Sequence, residues 1–179
     1  MLQITIPSRE VFDEYTSTFF MTKEYTLNLE HSLLSISKWE SKYCKPFLAV
    51  NKQDKRTPLE MLYYIKCMTL NKNVPDEVYA SLTEDNIKVI NDYIMNPMTA
   101  TTIKDNGPKN RQIITSELIY YWMIQNQIPF ECEKWHINRL LTLIRVCNSM
   151  NAPKKNQKPD LIARNKLNMA RRKAAKSRG

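Results

Sequence analysis

The pattern of apolar and polar positions divides the chain into an N-terminal extended part and a helical remainder. Over residues 1–30, the segments LQITIP, TSTFFM and EYTLNLE are rich in β-branched and aromatic residues, and LQITIP alternates apolar with polar positions. Such segments are typical of strands. We therefore expect an N-terminal β element in which TSTFFM and EYTLNLE pair around Thr22-Lys23.

From residue 31 onward the apolar positions recur with the spacing of α-helices. The predicted helices are, in chain order, SLLSISKWESKY before Pro46, a helix from Thr57, a short one from Pro75, a helix from Ser81, and two at about 116–127 and 131–150. Two of these starts, Thr57-Pro58-Leu59-Glu60 and Ser81-Leu82-Thr83-Glu84, have the spacing of a capping box. In that motif a hydroxyl and a carboxylate three residues apart satisfy each other's backbone amides.

Two further segments complete the predicted body. MTATTIKD and RQIIT flank Asp105-Asn106-Gly107-Pro108, and this order predicts a small β-hairpin. The LIYYWMI run of helix 116–127 is apolar nearly all round, so we place this helix at the centre of the core. We therefore expect an α+β, mainly α, fold with an N-terminal β element, a small β-hairpin, about five helices and a basic helical C-terminal tail.

Composition restricts the chemistry. Only Gly107 and Gly179 are glycines, whereas phosphate-binding loops and the nucleophile turn of α/β hydrolases require several. The longest apolar run, 118–124, spans seven residues, far fewer than the roughly 20 that cross a bilayer. Because no basic stretch leads into an apolar one at the start, we expect no secretory signal, an intracellular chain and four reduced cysteines.

One pair of residues has the spacing of metal ligands. Cys132 and His136 lie four apart in predicted helix 131–150 and would share one face. A zinc site needs more ligands, and the other cysteines and His31 are distant in sequence. A buried cysteine with a histidine hydrogen-bonded at the helix edge is the simpler interpretation. We expect no metal, no cofactor and no enzymatic activity.

The net charge of +9 is confined to the C-terminal part of the chain. Residues 153–179 hold ten of the 27 basic residues and one of the 18 acidic residues, whereas residues 1–152 hold 17 of each. We therefore expect one neutral globular domain, 1–152, and a basic tail, 153–179, that is flexible or helical. Such a tail binds nucleic acid, an anionic membrane or an acidic protein, or merely aids solubility. A membrane is the weakest of these, because the tail has no Trp or Phe to insert.

Helices 116–127 and 131–150 also have the outline of a helix-turn-helix unit. Apolar residues cover most of the second helix and the body is neutral, which favours a core helical hairpin instead. The predicted partner-binding residues lie on the polar side of this helix and in the tail: Lys134, Asn138, Arg139, Arg145, Arg164, Lys166, Arg171, Arg172 and Lys173.

Four segments resemble an uncharacterised family of tailed bacteriophages that is associated with tail assembly chaperones. They are LNLEHSLLSISKWESKYCKPFL at 27–48, NPMTATTI at 96–103, ITSELIYYWMIQNQIPFECEKWHINRLLTLIRVCN at 114–148 and ARNKLNMARRKAA at 163–175, about half of the chain. The resemblance implies a non-enzymatic protein of the host cytoplasm. Its implied role is to bind the long helical tape-measure protein, keep it soluble and promote assembly of the tail tube.

The partners follow from these two lines of reasoning. The resemblance implies the tape-measure and tail tube proteins, and self-association of the chain stays open. The alternative, from the residues alone, is a nucleic-acid-binding phage protein that acts through the basic tail. We expect no membrane partner.

Overall fold

The computed structural model of the chain describes residues 1–13, 17–21, 23–48, 56–102, 112–151 and 161–176. The chain divides into two compact units, Met1–Cys147 and Asn148–Gly179. The boundary that we expected between residues 152 and 153 lies outside the described residues.

Within the described residues the protein is mainly helical with a small antiparallel β element, which confirms the predicted α+β, mainly α, class. The strands are β1 (Leu2–Ile6), β2 (Glu10–Asp13), β3 (Thr18–Met21) and β4 (Tyr25–Leu29). The helices are α1 (Leu33–Tyr43), α2 (Pro58–Met68), α3 (Asp76–Ala80), α4 (Glu84–Met95), α5 (Ser116–Gln125), α6 (Ile137–Asn151) and α7 (Leu161–Lys176). A 3₁₀ helix, Phe130–Lys134, lies between α5 and α6.

The four strands form two antiparallel ribbons, and the predicted pairing around Thr22-Lys23 is wrong. β1 pairs with β4, and β2 pairs with β3. Ile4 of β1 lies opposite Leu27 of β4 and both are buried, whereas β3 exposes Phe19 and Met21. Strand pairing follows the shared buried face, so β4 pairs with β1 rather than with its neighbour in sequence.

Side-chain caps mark the starts of α1, α2, α4 and α5. At α2 the Thr57 hydroxyl accepts a hydrogen bond from the Glu60 amide at 3.2 Å, and the Glu60 carboxylate accepts one from the Thr57 amide at 2.8 Å. This confirms the predicted capping box. The box predicted from Ser81 is wrong, because the Ser81 amide closes the last turn of α3. The capping residue of α4 is instead Thr83, two residues later, whose hydroxyl accepts a hydrogen bond from the Asn86 amide.

The hydrophobic core combines side chains of β1, β4, α1, α2, α5 and α6. Its fully buried members include Leu27, Leu29, Leu33, Ile36, Met68, Ile119, Met123, Ile137 and Leu140. Helix α5 does not occupy the centre that we predicted, because the core covers only one of its sides. Ile119 and Met123 are fully buried, whereas Tyr121 and Ile124 keep 52% and 61% exposure.

A buried carboxylate ties three segments of the chain together. Glu40 on α1 accepts hydrogen bonds from the Phe47 amide and from the Ser116 amide at the start of α5, each at 2.7 Å. Beside it, the Trp39 indole nitrogen donates to the Glu60 carbonyl at 3.0 Å. Because a buried amide needs an acceptor, the Glu40 bonds fix the position of α5 and of the segment after α1.

The predicted small β-hairpin is absent from the described part of its sequence. Residues 98–102 and 112–115 contain no strand, and the turn between them lies outside the described residues. Local side chains satisfy the backbone here, as where the Thr101 amide donates to Thr99 Oγ1 at 3.1 Å. Such local hydrogen bonds compete with strand pairing.

Candidate interaction sites

The two histidines of the chain meet in its interior. His31 follows β4, His136 lies between the 3₁₀ helix and α6, and their ring centroids are 5.0 Å apart. Both side chains are buried. The Ile137 amide donates to the His31 carbonyl at 2.7 Å, and His136 forms an antiparallel bridge with Ser32. The prediction of one continuous helix over 131–150 is therefore wrong, because the backbone at His136 pairs with the segment before α1.

Hydrogen bonds hold both imidazoles in place. His136 Nε2 donates to the Tyr93 carbonyl at 3.1 Å, and its Nδ1 accepts from the Asn138 amide at 3.3 Å. This ring is therefore a neutral tautomer that caps the first turn of α6. His31 Nδ1 shares a hydrogen bond with the Tyr64 hydroxyl of α2. The pair joins α2, α4 and α6 to the segment between β4 and α1.

Both rings are uncharged at neutral pH. Burial, followed by smaller contributions from the neighbouring His136 and Arg56, lowers the pKa of His31 to about 3. Burial also lowers the pKa of His136, although its bond to the Tyr93 carbonyl and the charge of Glu30 oppose this. Two neutral, enclosed imidazoles act as a structural junction rather than as groups that a substrate reaches.

The spacing of Cys132 and His136 does not place them on one helical face. Cys132 lies in the 3₁₀ helix, and His136 lies beyond its end. Among the residues that the structure describes, no three His, Cys, Asp or Glu side chains are grouped so that they could hold a metal ion. Burial raises the pKa of the Cys132 thiol, so this thiol is protonated at neutral pH.

An apolar groove, here the β–α3 groove, lies between the β element and α3. Its volume is about 360 Å³, and it is lined by Ile6, Met21, Lys23, Tyr25, Pro75, Glu77, Val78 and Ser81. Met21 keeps 63% exposure, and Lys23 and Glu77 contribute one charge of each sign. The Arg9 guanidinium donates to the Ala80 carbonyl at 3.0 Å and links the segment after β1 to the end of α3. Because the lining is mostly apolar, the groove suits an apolar side chain of a partner.

The predicted partner-binding residues of the body differ in their surroundings. Lys134 and Arg145 are exposed. The Arg139 guanidinium carbon lies 4.1 Å from the centroid of the Trp135 ring, so this cation stacks on an aromatic face. The side-chain nitrogen of Asn138, Nδ2, donates to two backbone carbonyls at the end of α4, at 3.3 and 2.8 Å, and so joins α4 to α6.

The remaining predicted residues lie on α7, in the second compact unit. Lys166, Arg171, Arg172 and Lys173 are exposed, and Arg164 lies within the same helix. The helix holds six basic residues and no acidic residue. Its exposed cations give it the chemistry of an anion-binding segment.

No protein-family model, curated protein or solved structure matches the chain. Within the described ranges, no helix is both long and apolar enough to span a bilayer.

Sequence reasoning missed two surfaces. The β–α3 groove draws its lining from residues between Ile6 and Ser81, and no local pattern links positions so far apart. The exposed side of α5 could not be predicted because LIYYWMI is apolar on every side, so no polar side indicates which face meets solvent.

Proposed function

We propose that this chain is a non-enzymatic phage tail assembly chaperone that binds the tape-measure protein in the host cytoplasm and promotes assembly of the tail tube. The resemblance of four segments to phage proteins associated with this role supports the proposal. So does the β–α3 groove, because a chaperone for a long helical client needs apolar side chains that the client can reach. The proposed role requires no cofactor.

The observation that carries the proposal is the apolar lining of the groove around Met21. This side chain is exposed, unbranched and adaptable, and it stands beside the half-buried Tyr25 and Val78. An apolar residue of a client helix that enters the groove leaves water, which favours binding by about 25 cal/mol for each Å² of apolar surface covered. The charges of Lys23 and Glu77 would orient a client with both charge signs.

The test is co-expression of the chain with the tape-measure protein of the same phage. We expect the tape-measure protein to stay soluble and to co-purify with the chain. Met21→Glu puts a charge into the groove and should abolish co-purification. The matched control Met95→Glu, at a site on α4 with 78% exposure, should not. Equal binding by the two folded variants would reject the groove, and an insoluble, unbound tape-measure protein would reject the chaperone role.

A second candidate function, nucleic-acid binding through the tail, is favoured by α7. Lys166, Arg171, Arg172 and Lys173 are exposed on a helix that lacks acidic residues. Contacts between such cations and phosphates release counterions, so affinity falls steeply with salt.

Changing the tail separates the two functions. If α7 binds nucleic acid, fluorescence anisotropy with a short labelled RNA should detect binding that weakens with salt. That binding should vanish when residues 153–179 are deleted or when Arg171, Arg172 and Lys173 are changed to Gln. If the chaperone role is right, the same variants still co-purify with the tape-measure protein. Lack of salt-dependent RNA binding by the full chain would reject the second function.

A further inference from the structure

An exposed apolar patch extends across α5 and the 3₁₀ helix. Tyr121, Ile124 and Phe130 keep 52%, 61% and 55% exposure. Tyr121 and Ile124 are neighbours three residues apart on α5. Tyr120, one turn before Ile124, has its ring centroid 6.3 Å from that of Phe130 and so connects the two elements. Contiguous exposed apolar side chains of this kind mark interaction sites.

Glutamates border this patch. Glu117 lies in the first turn of α5, Glu131 directly follows the phenylalanine of the patch, and the Glu133 carboxylate accepts a hydrogen bond from the Tyr120 hydroxyl at 2.8 Å. Together, α5 and the 3₁₀ helix contain these three acidic residues and one basic residue, Lys134, so they carry −2. We call the whole surface the acidic aromatic patch: Glu117, Tyr121, Ile124, Phe130, Glu131 and Glu133.

Helix α7 has the complementary chemistry. It carries +6, from six basic residues and no acidic one. Leu167 and Met169 keep 56% and 69% exposure. Leu167 and Met169 are two residues apart and therefore lie on opposite sides of the helix, whereas Leu167 and Arg171 are one turn apart and share one side. This Leu167 side presents an exposed apolar side chain beside a cation. On the acidic aromatic patch, Glu117 lies one turn before Tyr121, and Glu131 directly follows Phe130.

We propose that α7 of one copy of the chain packs on the acidic aromatic patch of a second copy. Each of these two surfaces carries exposed apolar side chains. A twofold pair of chains covers both at once, because each copy supplies one helix and one patch. The apolar side chains leave water, and the opposite charges steer and orient the helix. This inference does not depend on the tail-assembly role.

Sedimentation velocity of the full chain at low ionic strength tests the proposal. We expect a dimer that dissociates on dilution and weakens as salt is raised, because exposed charges are screened. Glu117→Lys with Glu131→Lys reverses two charges of the patch and should weaken the dimer about tenfold or more. The control, Glu24→Lys with Asp92→Lys, makes the same change of net charge at two other exposed positions and should leave the dimer unchanged.

A mixing experiment tests whether the helix that packs on the acidic aromatic patch belongs to a second copy of the chain. The second variant changes Arg171, Arg172 and Lys173 to Glu, which reduces the charge of α7 from +6 to zero. We expect the patch variant and the α7 variant each to dimerise more weakly than the wild type when alone. Mixed together they should form a heterodimer, because the unaltered α7 of the patch variant then meets the unaltered patch of the α7 variant, and the three new glutamates meet the two new lysines. Circular dichroism of both variants establishes that they are folded.

Several results would overturn the proposal. The first is a chain that stays monomeric at every concentration at low salt. Another is equal weakening of the dimer by the patch variant and its control, and a third is a mixture of folded variants that dimerises no more strongly than either variant alone. An α7 variant that loses RNA binding but still dimerises would assign the helix to nucleic acid instead.

Discussion

Lowering the pH from 7 to 5 should destabilise the folded body through the buried histidine pair. The pKa of His31 falls from 6.5 in the unfolded chain to about 3 in the fold. Because the folded pKa is the lower one, the unfolded chain binds more protons between these values. Stability is therefore fully present above pH 6.5 and is lost as the pH falls through this window.

The size of the effect follows from the pKa difference. At pH 5, which is 1.5 units below the unfolded pKa, His31 alone should cost about 2 kcal/mol of unfolding free energy. His136 adds to the loss, because burial lowers its pKa as well. Carboxylates held ionised by hydrogen bonds, such as Glu60 and Glu117, have an ordinary pKa of 4.5 and titrate mostly below pH 5, so measurements that stop at pH 5 report mainly the histidines.

Urea unfolding at pH 7 and pH 5, followed by circular dichroism, measures this loss. The comparison variant is His31→Gln, which keeps a polar partner for the Tyr64 hydroxyl but cannot take up a proton. We expect the variant to be less stable than the wild type at pH 7 and to lose about 2 kcal/mol less between the two pH values. The reasoning is refuted if both proteins lose the same amount, or if the wild type loses none.

Three further predictions test the packing of the body. Glu40→Ala leaves two buried amides without an acceptor and should lower the unfolding free energy by about 3 kcal/mol. Glu40→Gln keeps one acceptor oxygen and should lower the unfolding free energy less. Equal losses from the two variants would contradict the assigned hydrogen bonds. Thr57→Ala removes the cap of α2 and should lower the unfolding free energy, measured by thermal unfolding, by about 1 kcal/mol, whereas Thr57→Ser should lower it little. An equal loss of stability in the two variants would contradict the assigned cap. Cys44 is exposed and Cys132 is buried with a raised pKa, so a disulfide reagent should label Cys44 at once and Cys132 only on unfolding. Rapid labelling of Cys132, identified by mass spectrometry, would show that the 3₁₀ helix is open.

Local rules of sequence reading succeeded where neighbouring residues decide the structure. The capping box at Thr57 and Glu60 needs only residues within one turn, so its spacing predicted the start of α2 correctly. The same spacing gave a wrong prediction at Ser81, because the Ser81 amide donates its hydrogen bond to the last turn of α3. A capping residue and the preceding helix can compete for the same backbone amide. The spacing of a capping box considers only the residues that follow the cap, so it does not show this competition.

Pairings between distant segments were the part that could not be predicted. The partner of β4 is β1 because Ile4 and Leu27 face the same core, and that core does not exist until the helices pack. The interruption at His136 has a similar origin, since its cause is a backbone partner about a hundred residues earlier in the chain. The residues themselves were identified as notable, but their pairing requires the folded chain.

Salt and pH act on different parts of this protein, and that separates its proposed activities. The histidine pair is buried, so added salt screens it little and leaves its acid sensitivity in place. The cations of α7 are exposed, so salt at neutral pH should weaken dimerisation and any RNA binding without changing the unfolding free energy of the body. One helix cannot be covered by a second copy and by RNA at once, so the two should compete. Only dimerisation can be restored by mixing variants of opposite charge, because RNA offers no surface whose charge can be reversed.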